Sequence, residues 1–319
     1  MMAGKIVIIG AGFVGSTVAY SLLTKDFIDE LVLIDIDKRK LRGEILDLRP
    51  GLAEVSRSRV RAGDYCDCAD ADVLVMTAGS NRRPGQTRME LLQTNLGILR
   101  DAVDRIAPHY RGAKIVVVSN PVDLLTFYME KWLPPAASGR VIGTGCLLDT
   151  ARLCALIAEY VHRPVSEVET MVVGIHGDEP IALWSQTKIC GRSVEAYFAA
   201  NGLGWTPELR KNWMEQVHTM GMDIIEAKGR THYGIAAVVC RLVQALSSDE
   251  PQTAAVGRVA VWHGQETIVS LPTALCRAGI APVEDLPLDA GEESTLNECA
   301  GRMSRVLYET EQALQGQGR

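Results

Sequence analysis

Five short apolar runs recur through the first half of the chain: KIVIIG (5–10), ELVLIDI (30–36), DVLVMTAG (72–79), KIVVVSN (114–120) and RVIGTG (140–145). They are continuous rather than alternating and rich in Val and Ile, as strands covered on both faces of a parallel sheet must be. Between them, VGSTVAYSLLTK, KRKLRGEILDLRP and TRMELLQTNLGILRDAVDRIAP carry apolar residues at helical spacing. Strand and helix in alternation predict a doubly wound α/β sheet over residues 1–144. Past about residue 145 the rhythm changes. Helical DTARLCALIAEYVHR leads to strand-like TMVVGIHGD, then to helical stretches near 208–228 and 233–247. Strand-like VAVWHG and TIVSLP and a polar helix over 291–315 complete an α+β domain expected to span 145–319. There is no internal repeat and no low-complexity linker.

Composition narrows the function classes. The 319 residues can bury a full core, and 47% hydrophobic with 23% charged residues is ordinary for a soluble globular chain. A net charge of −6 argues against a nucleic-acid partner, which needs a basic face. No apolar run approaches the ~18 residues of a membrane span, and MMAGKIVIIG has no signal-peptide pattern, so the expected setting is the cytoplasm without membrane contact. The eight cysteines are scattered, several of them in apolar segments such as those of Cys154 and Cys240, and read as reduced thiols. Cys66 and Cys68 form the one close pair, and no second Cys/His pair completes a metal site, so none is expected.

Gly10-Ala11-Gly12-Phe13-Val14-Gly15 falls where the first strand gives way to a helix, and Asp35 ends the second strand. Gly10 permits the tight turn, Gly12 lets a pyrophosphate reach the backbone, and Gly15 lets helix and strand pack closely. A carboxylate at Asp35 accepts ribose hydroxyls and, with Asp37, repels a 2′-phosphate, which favours NAD over NADP. This is a Rossmann-type pattern. FAD remains the other ligand for the fingerprint, and a plain glycine turn beside a solvated Asp is the bland reading.

Other residues invite chemistry. His176 follows a strand-like run between Gly174 and Gly177, where a hydrogen-bonded structural histidine is the competing reading. Asp149 and Arg152 stand at i, i+3 on one helix face, either as a local ion pair or with separate duties. In the second case the carboxylate orients and charges a histidine, and the guanidinium forks onto a substrate carboxylate. Asn120-Pro121 ends a strand at the carboxyl edge of the sheet, where such folds bind ligands and where turns also occur. TAGSNRRPGQTR (77–88) carries Arg82, Arg83 and Arg88 with no acid of its own, so either solvent or an arriving anion meets them.

Taken together, GAGFVG with Asp35, TAG…RPGQTR, SNPVDLLT, VIGTGCLLDTAR, GIHGD followed by WSQ, and KGRTHYGIA resemble the L-lactate/malate dehydrogenase family from Lys5 to beyond Asn297. The resemblance implies a catalytic set of His176 as acid–base, Asp149 as its partner, and Arg88 on a closing loop. It implies that Arg82, Arg88, Asn120, Arg152 and Thr231 bind substrate. Gly10, Gly12, Val14, Gly15, Asp35, Gly79 and Asn120 would hold NAD, with a cis Asn120–Pro121 peptide. A homotetramer is expected, partly because Met1 leaves no long arm before the first strand, with a homodimer as the alternative.

Arg82 stands where lactate enzymes of this family carry glutamine and malate enzymes arginine, while Thr231, Ile235 and WSQ look like the lactate branch. The charge favours malate/oxaloacetate as substrate. The alternative is an L-lactate dehydrogenase without fructose 1,6-bisphosphate activation, because Cys154 and Glu169 replace that effector's arginine and histidine. A non-catalytic NAD-binding protein is the remote reading. A short-chain oxidoreductase built on a Tyr-x-x-x-Lys pair is set aside.

Overall fold

The computed structural model describes residues 3–80, 85, 87–177 and 179–316. In chain order the elements are β1 (Ala3–Ile9), α1 (Phe13–Leu23), β2 (Ile28–Ile34), α2 (Lys38–Val55), β3 (Arg59–Ala62), β4 (Val73–Met76), α3 (Arg88–Ile106), β5 (Lys114–Val117), α4 (Val122–Trp132) and β6 (Val141–Gly143). There follow α5 (Leu147–Tyr160), β7 (Val168–Glu169), β8 (Val172–Ile175), β9 (Glu179–Ala182), β10 (Lys188–Ile189), β11 (Arg192–Ser193), α6 (Val194–Ala200) and α7 (Pro207–Lys228). The chain then forms α8 (Tyr233–Ser247), β12 (Gln252–Trp262), β13 (Gln265–Cys276), β14 (Gly279–Pro282) and α9 (Ala290–Gly316).

Two compact units emerge. The first runs to Thr144 and also takes in His232–Thr253 and Thr273–Ala281; the second holds Gly145–Thr231, Ala254–Pro272 and the chain from Pro282. A linear division at 144/145 leaves α8 in the second domain, whereas in the structure α8 packs on α1 and belongs to the first unit. Its apolar face explains this: Ala236, Val239, Leu242, Val243 and Leu246 are buried, and an amphipathic helix settles where that stripe finds cover.

In the first unit the strands run parallel in the order β3-β2-β1-β4-β5-β6. Ile6–Ile9, Leu31–Ile34 and Val73–Met76 are buried throughout, which is why these strands read as unbroken apolar runs. Chain order reverses at β1, between β2 and β4, and opens a crevice beyond the strand ends there. The edge strand β3 escapes the apolar pattern because only Val60 of its RVRA is buried.

The second unit is antiparallel, with the strand path β12-β13-β8-β9 and a small sheet β7-β10-β11. One of its cores gathers Leu153, Ile157, Phe198, Trp213 and Val217 between α5, α6 and α7. Another packs Val173, Val269, Leu296 and Ala300 between the sheet and α9. Among the described residues no helix is long and apolar enough to cross a membrane, and none of the eight cysteines forms a disulfide.

Candidate active site

The glycine loop is shaped by what cannot fit. Gly10 has φ +105°, and a Cβ there would stand 2.6 Å from the backbone nitrogen of Ala78. A Cβ at Gly15 would run into the carbonyl oxygen of Gly10, with Thr77 Oγ1 at 2.8 Å. Gly12 differs: a Cβ there meets nothing nearer than Lys40 Nζ at 4.0 Å, so the space above it is open. It caps α1, whose first amides are therefore available to an anion. Thr77 Oγ1 donates to the Gly10 carbonyl (2.8 Å), and Gly10 N–H to Ile34 O (2.8 Å), pinning the turn to both neighbouring strands. These residues fit a dinucleotide.

Asp35 reaches back to that loop. Its Oδ2 accepts Ala11 N–H (2.7 Å) and its Oδ1 accepts Asp37 N–H (2.9 Å), while Asp37 caps α2 by accepting from Lys40 N–H (3.0 Å). Each carboxylate oxygen keeps a further lone pair for a ribose hydroxyl. On α2, burial pushes the Glu44 carboxyl up, against the opposing pull of Lys40.

Beyond β4 and β5, one side chain ties two loops. Asn95, buried on α3, accepts Ser80 N–H (2.7 Å) and donates to the carbonyls of Ser80 (3.1 Å) and Asn120 (2.6 Å). Ser119 Oγ donates to Ala78 O (2.7 Å), beside Gly79. The Asn120–Pro121 peptide is cis, and Asn120 Oδ1 accepts Val122 N–H (3.3 Å). Asn95 was missed in the sequence. Its signal is there: an amide on the same helix face as the core residues Leu92, Leu96 and Leu99, whereas the helix's other amide, Gln93, falls on the exposed side. Arg88 opens α3, whose Thr87 cap accepts Glu90 N–H (3.1 Å). Arg82 and Arg83 lie outside the described residues.

In the second unit the geometry centres on Asp149. It sits in the first turn of α5, where the helix dipole favours a carboxylate. That helix start is anchored: Cys146 N–H donates to Ser270 Oγ (3.0 Å), and Val172 N–H at the head of β8 donates to Thr150 Oγ1 (2.9 Å). β8 then delivers His176 into the β8–β9 turn between Gly174 (φ +96°) and Gly177 (φ +88°). Asp149 Oδ2 lies 2.6 Å from His176 Nδ1, and Oδ1 accepts from Arg152 NH1 at 3.3 Å. The same NH1 donates to Val217 O of α7 (3.3 Å). The carboxylate side chain is 4% exposed, the guanidinium 11% and the imidazole 23%, so the histidine is the member that solvent or a ligand reaches. Gly221, inside α7, lies across from Arg152; a Cβ there would stand 3.4 Å from NH2. Asp149 thus makes the local ion pair with Arg152 and also meets the histidine. Thr231 lies, half-buried, between the αL cap Gly229 and α8.

WSQ has a structural task in this unit. Buried Glu292 of α9 accepts Ser185 N–H (3.0 Å) and Ser185 Oγ (2.6 Å). Tyr110 and Lys114 have the Tyr-x-x-x-Lys spacing, which the sequence reading overlooked when it set the short-chain class aside. Tyr110 donates its hydroxyl to Ala113 O (2.7 Å), burial pushes it up to about 12, and Lys114 opens the buried strand β5. Neither is poised for proton transfer. Among the described residues no His, Cys, Asp and Glu cluster could hold a metal.

Comparison with known proteins adds to this geometry. The family profile "lactate/malate dehydrogenase, NAD binding domain" matches residues 4–143, and "lactate/malate dehydrogenase, alpha/beta C-terminal domain" matches residues 146–313. An L-lactate dehydrogenase of Gloeobacter violaceus is 38% identical over 304 residues, 94% of this chain and 91% of that protein. One of Clostridium perfringens is 36% identical over 300 residues, 93% of this chain and 94% of that protein. Among solved structures, a lactate dehydrogenase enzyme from a Medee basin deep-sea metagenome library (MGS-M5) superposes with a TM-score of 0.90 at 33% identity. It covers 98% of this chain and 100% of its own. The minor L-lactate dehydrogenase of Enterococcus mundtii superposes with a TM-score of 0.89 at 32% identity, covering 96% of this chain and 98% of its own.

Proposed function

We propose a function on one premise: the chain belongs to the lactate/malate dehydrogenase family and is an NAD-dependent oxidoreductase of that family. We infer that it interconverts an L-2-hydroxy acid and its 2-oxo acid, with L-lactate and pyruvate as the pair. The observation that carries the reaction class is Asp149, one buried carboxylate shared between His176 Nδ1 (2.6 Å) and Arg152 NH1 (3.3 Å).

That arrangement divides the labour. With Nδ1 turned to Asp149, the neutral imidazole keeps its proton there and presents Nε2 as the base. The carboxylate also favours the imidazolium. In oxidation Nε2 takes the substrate hydroxyl proton; in reduction it returns a proton to the nascent alkoxide. Bound NAD supplies the hydride acceptor. Arg152, its plane held by Asp149 and Val217, offers its remaining N–H groups to the substrate carboxylate. By family likeness Arg88 polarises the carbonyl, Asn120 contacts the reacting oxygen and Thr231 lines the substrate pocket. Gly10, Gly12, Val14, Gly15, Asp35, Gly79 and Asn120 hold the cofactor. Cys154 and Glu169 give no purchase to fructose 1,6-bisphosphate, so that compound is not an activator at the family's site. A cytoplasmic homotetramer, with a homodimer as the alternative, completes the reading, and light scattering on the purified protein reads the assembly.

Pyruvate stands first because the relatives quoted above are named lactate dehydrogenases and Thr231 matches that branch. One observation favours oxaloacetate instead: Arg82 in place of the glutamine of lactate enzymes. Facing a methyl group, a desolvated guanidinium costs on the order of 3–5 kcal/mol, or roughly two to four decades in rate. Arg82→Gln discriminates the two. It leaves pyruvate turnover within a few-fold if the first reading holds, and raises it by decades if the second does. The reaction class is tested by His176→Asn, which should abolish most turnover while NADH binding persists. Turnover within a few-fold of the parent would remove His176 from the mechanism.

A further inference from the structure

Along the edge of the first unit, α2, β3 and the two residues after β3 line an open groove of about 760 Å3 that holds none of the residues assigned above to catalysis or cofactor. Its floor is Leu41 and Ile45, both core residues, and its walls carry Lys38, Arg42 and Arg49 from α2 and Arg61 from β3. At 100° per residue Lys38, Arg42, Ile45 and Arg49 fall within about 60° of one another on the helix. The acids of α2, Glu44, Asp47 and Glu54, all fall on the opposite flank.

Three of these four cations, those of α2, are left without a carboxylate partner, while Arg61 is paired with Glu30 and Asp67. Lys38, Arg42 and Arg49 make no ion pair with any described residue. Lys38 and Arg42 are like charges at i, i+4, a destabilising pair in a helix. Arg61 is rigidly placed, with Nε on Glu30 (2.9 Å) and NH1 on Asp67 (3.2 Å). The one carboxylate in the lining, Asp64, already accepts Tyr65 N–H (2.8 Å). All this stands in a chain whose net charge is −6, so the lining runs against the molecule's overall potential.

We propose that this groove binds an elongated polyanion, a linear chain of phosphoryl groups. Length selects the ligand. From Lys38 to Arg49 the helix rises about 16 Å. A single phosphate therefore meets one or two of the cations, while a chain of phosphoryl groups bridges several from above an apolar floor. The lining starts at Lys38, after the Asp35–Asp37 turn, and holds none of Gly10, Gly12, Gly15 or Asp35, so a ligand here need not displace the dinucleotide.

The test is calorimetric titration of the full-length protein with inorganic tripolyphosphate at 0.15 M salt, with and without saturating NADH. Expected is saturable one-site binding, indifferent to NADH, and weaker by at least about tenfold for orthophosphate and for the double variant Arg42→Gln/Arg49→Gln. The Arg42→Lys/Arg49→Lys variant, which keeps the charge, retains most of the affinity. Both variants keep the parent's NADH-dependent turnover, which shows that they are folded. No saturable binding, binding unchanged in the double Gln variant, or binding abolished by NADH would each overturn the proposal.

Discussion

The loop from Gly10 to Gly15 and the cluster around His176 reach precision by opposite routes. In the loop, backbone atoms do the work: side chains are excluded at Gly10 and Gly15, where a Cβ would collide with Ala78 or with the Gly10 carbonyl. In the cluster, side chains do the work, and Asp149 holds two partners from positions 3 and 27 residues away along the chain. On the proposed function the first design binds the dinucleotide and is indifferent to protons. On the same proposal the second moves a proton and leaves dinucleotide affinity untouched. Mutations should therefore separate affinity from turnover according to which region they touch.

The largest separation is expected from Asp149→Asn. An amide at Asp149 no longer holds the imidazole tautomer that presents Nε2, and comparable triads lose on the order of four decades in kcat. Stopped-flow NADH binding should stay within about threefold, since the carboxylate serves catalysis rather than dinucleotide affinity. Loss of NADH binding in step with kcat would erase the distinction between the regions. Next comes Gly10→Ala. It forces a Cβ onto φ +105° beside Ala78, strain of about 1–3 kcal/mol. NADH affinity should fall by about tenfold or more, with the pH profile of the surviving turnover unchanged.

How far each region was legible follows from the same contrast. The loop can be read from sequence because excluded side chains leave glycines at fixed local spacing, and continuous burial leaves Val/Ile runs such as Ile6–Ile9. The side-chain cluster is legible only in part. Asp149 and Arg152 announce themselves at i, i+3, but nothing local joins them to His176, and the family resemblance supplied that link. The Ser185–Glu292 clasp spans 107 residues and leaves no periodic trace. β3 was missed because an edge strand with one buried residue carries no apolar run. The placement of α8 was missed because a helix's apolar stripe says that it packs, not on what.

A smaller effect is expected at Asp35. Asp35→Ser removes the carboxylate that opposes a 2′-phosphate and should move the NADH-to-NADPH preference by roughly tenfold in kcat/KM. A parent enzyme with equal kcat/KM for both cofactors would contradict the ribose assignment. Smallest is Gly221→Ala, which places a methyl 3.4 Å from Arg152 NH2 in ordinary contact. Helix propensity improves by about 1 kcal/mol, so thermal stability should rise slightly. If Arg152 binds the substrate carboxylate as proposed, the added methyl takes space beside that guanidinium and the substrate KM should rise a few-fold at nearly constant kcat. A fall in kcat without a change in KM would show that Arg152 acts on the transition state alone.

The proposed function is the reduction of a 2-oxo acid whose C3 carries no charge. It is tested most directly by kcat/KM for pyruvate and oxaloacetate, measured with saturating NADH on one preparation. The account predicts the larger value for pyruvate, with L-lactate as the product. A value for oxaloacetate ten times that for pyruvate would contradict it and return the substrate assignment to the charge of Arg82.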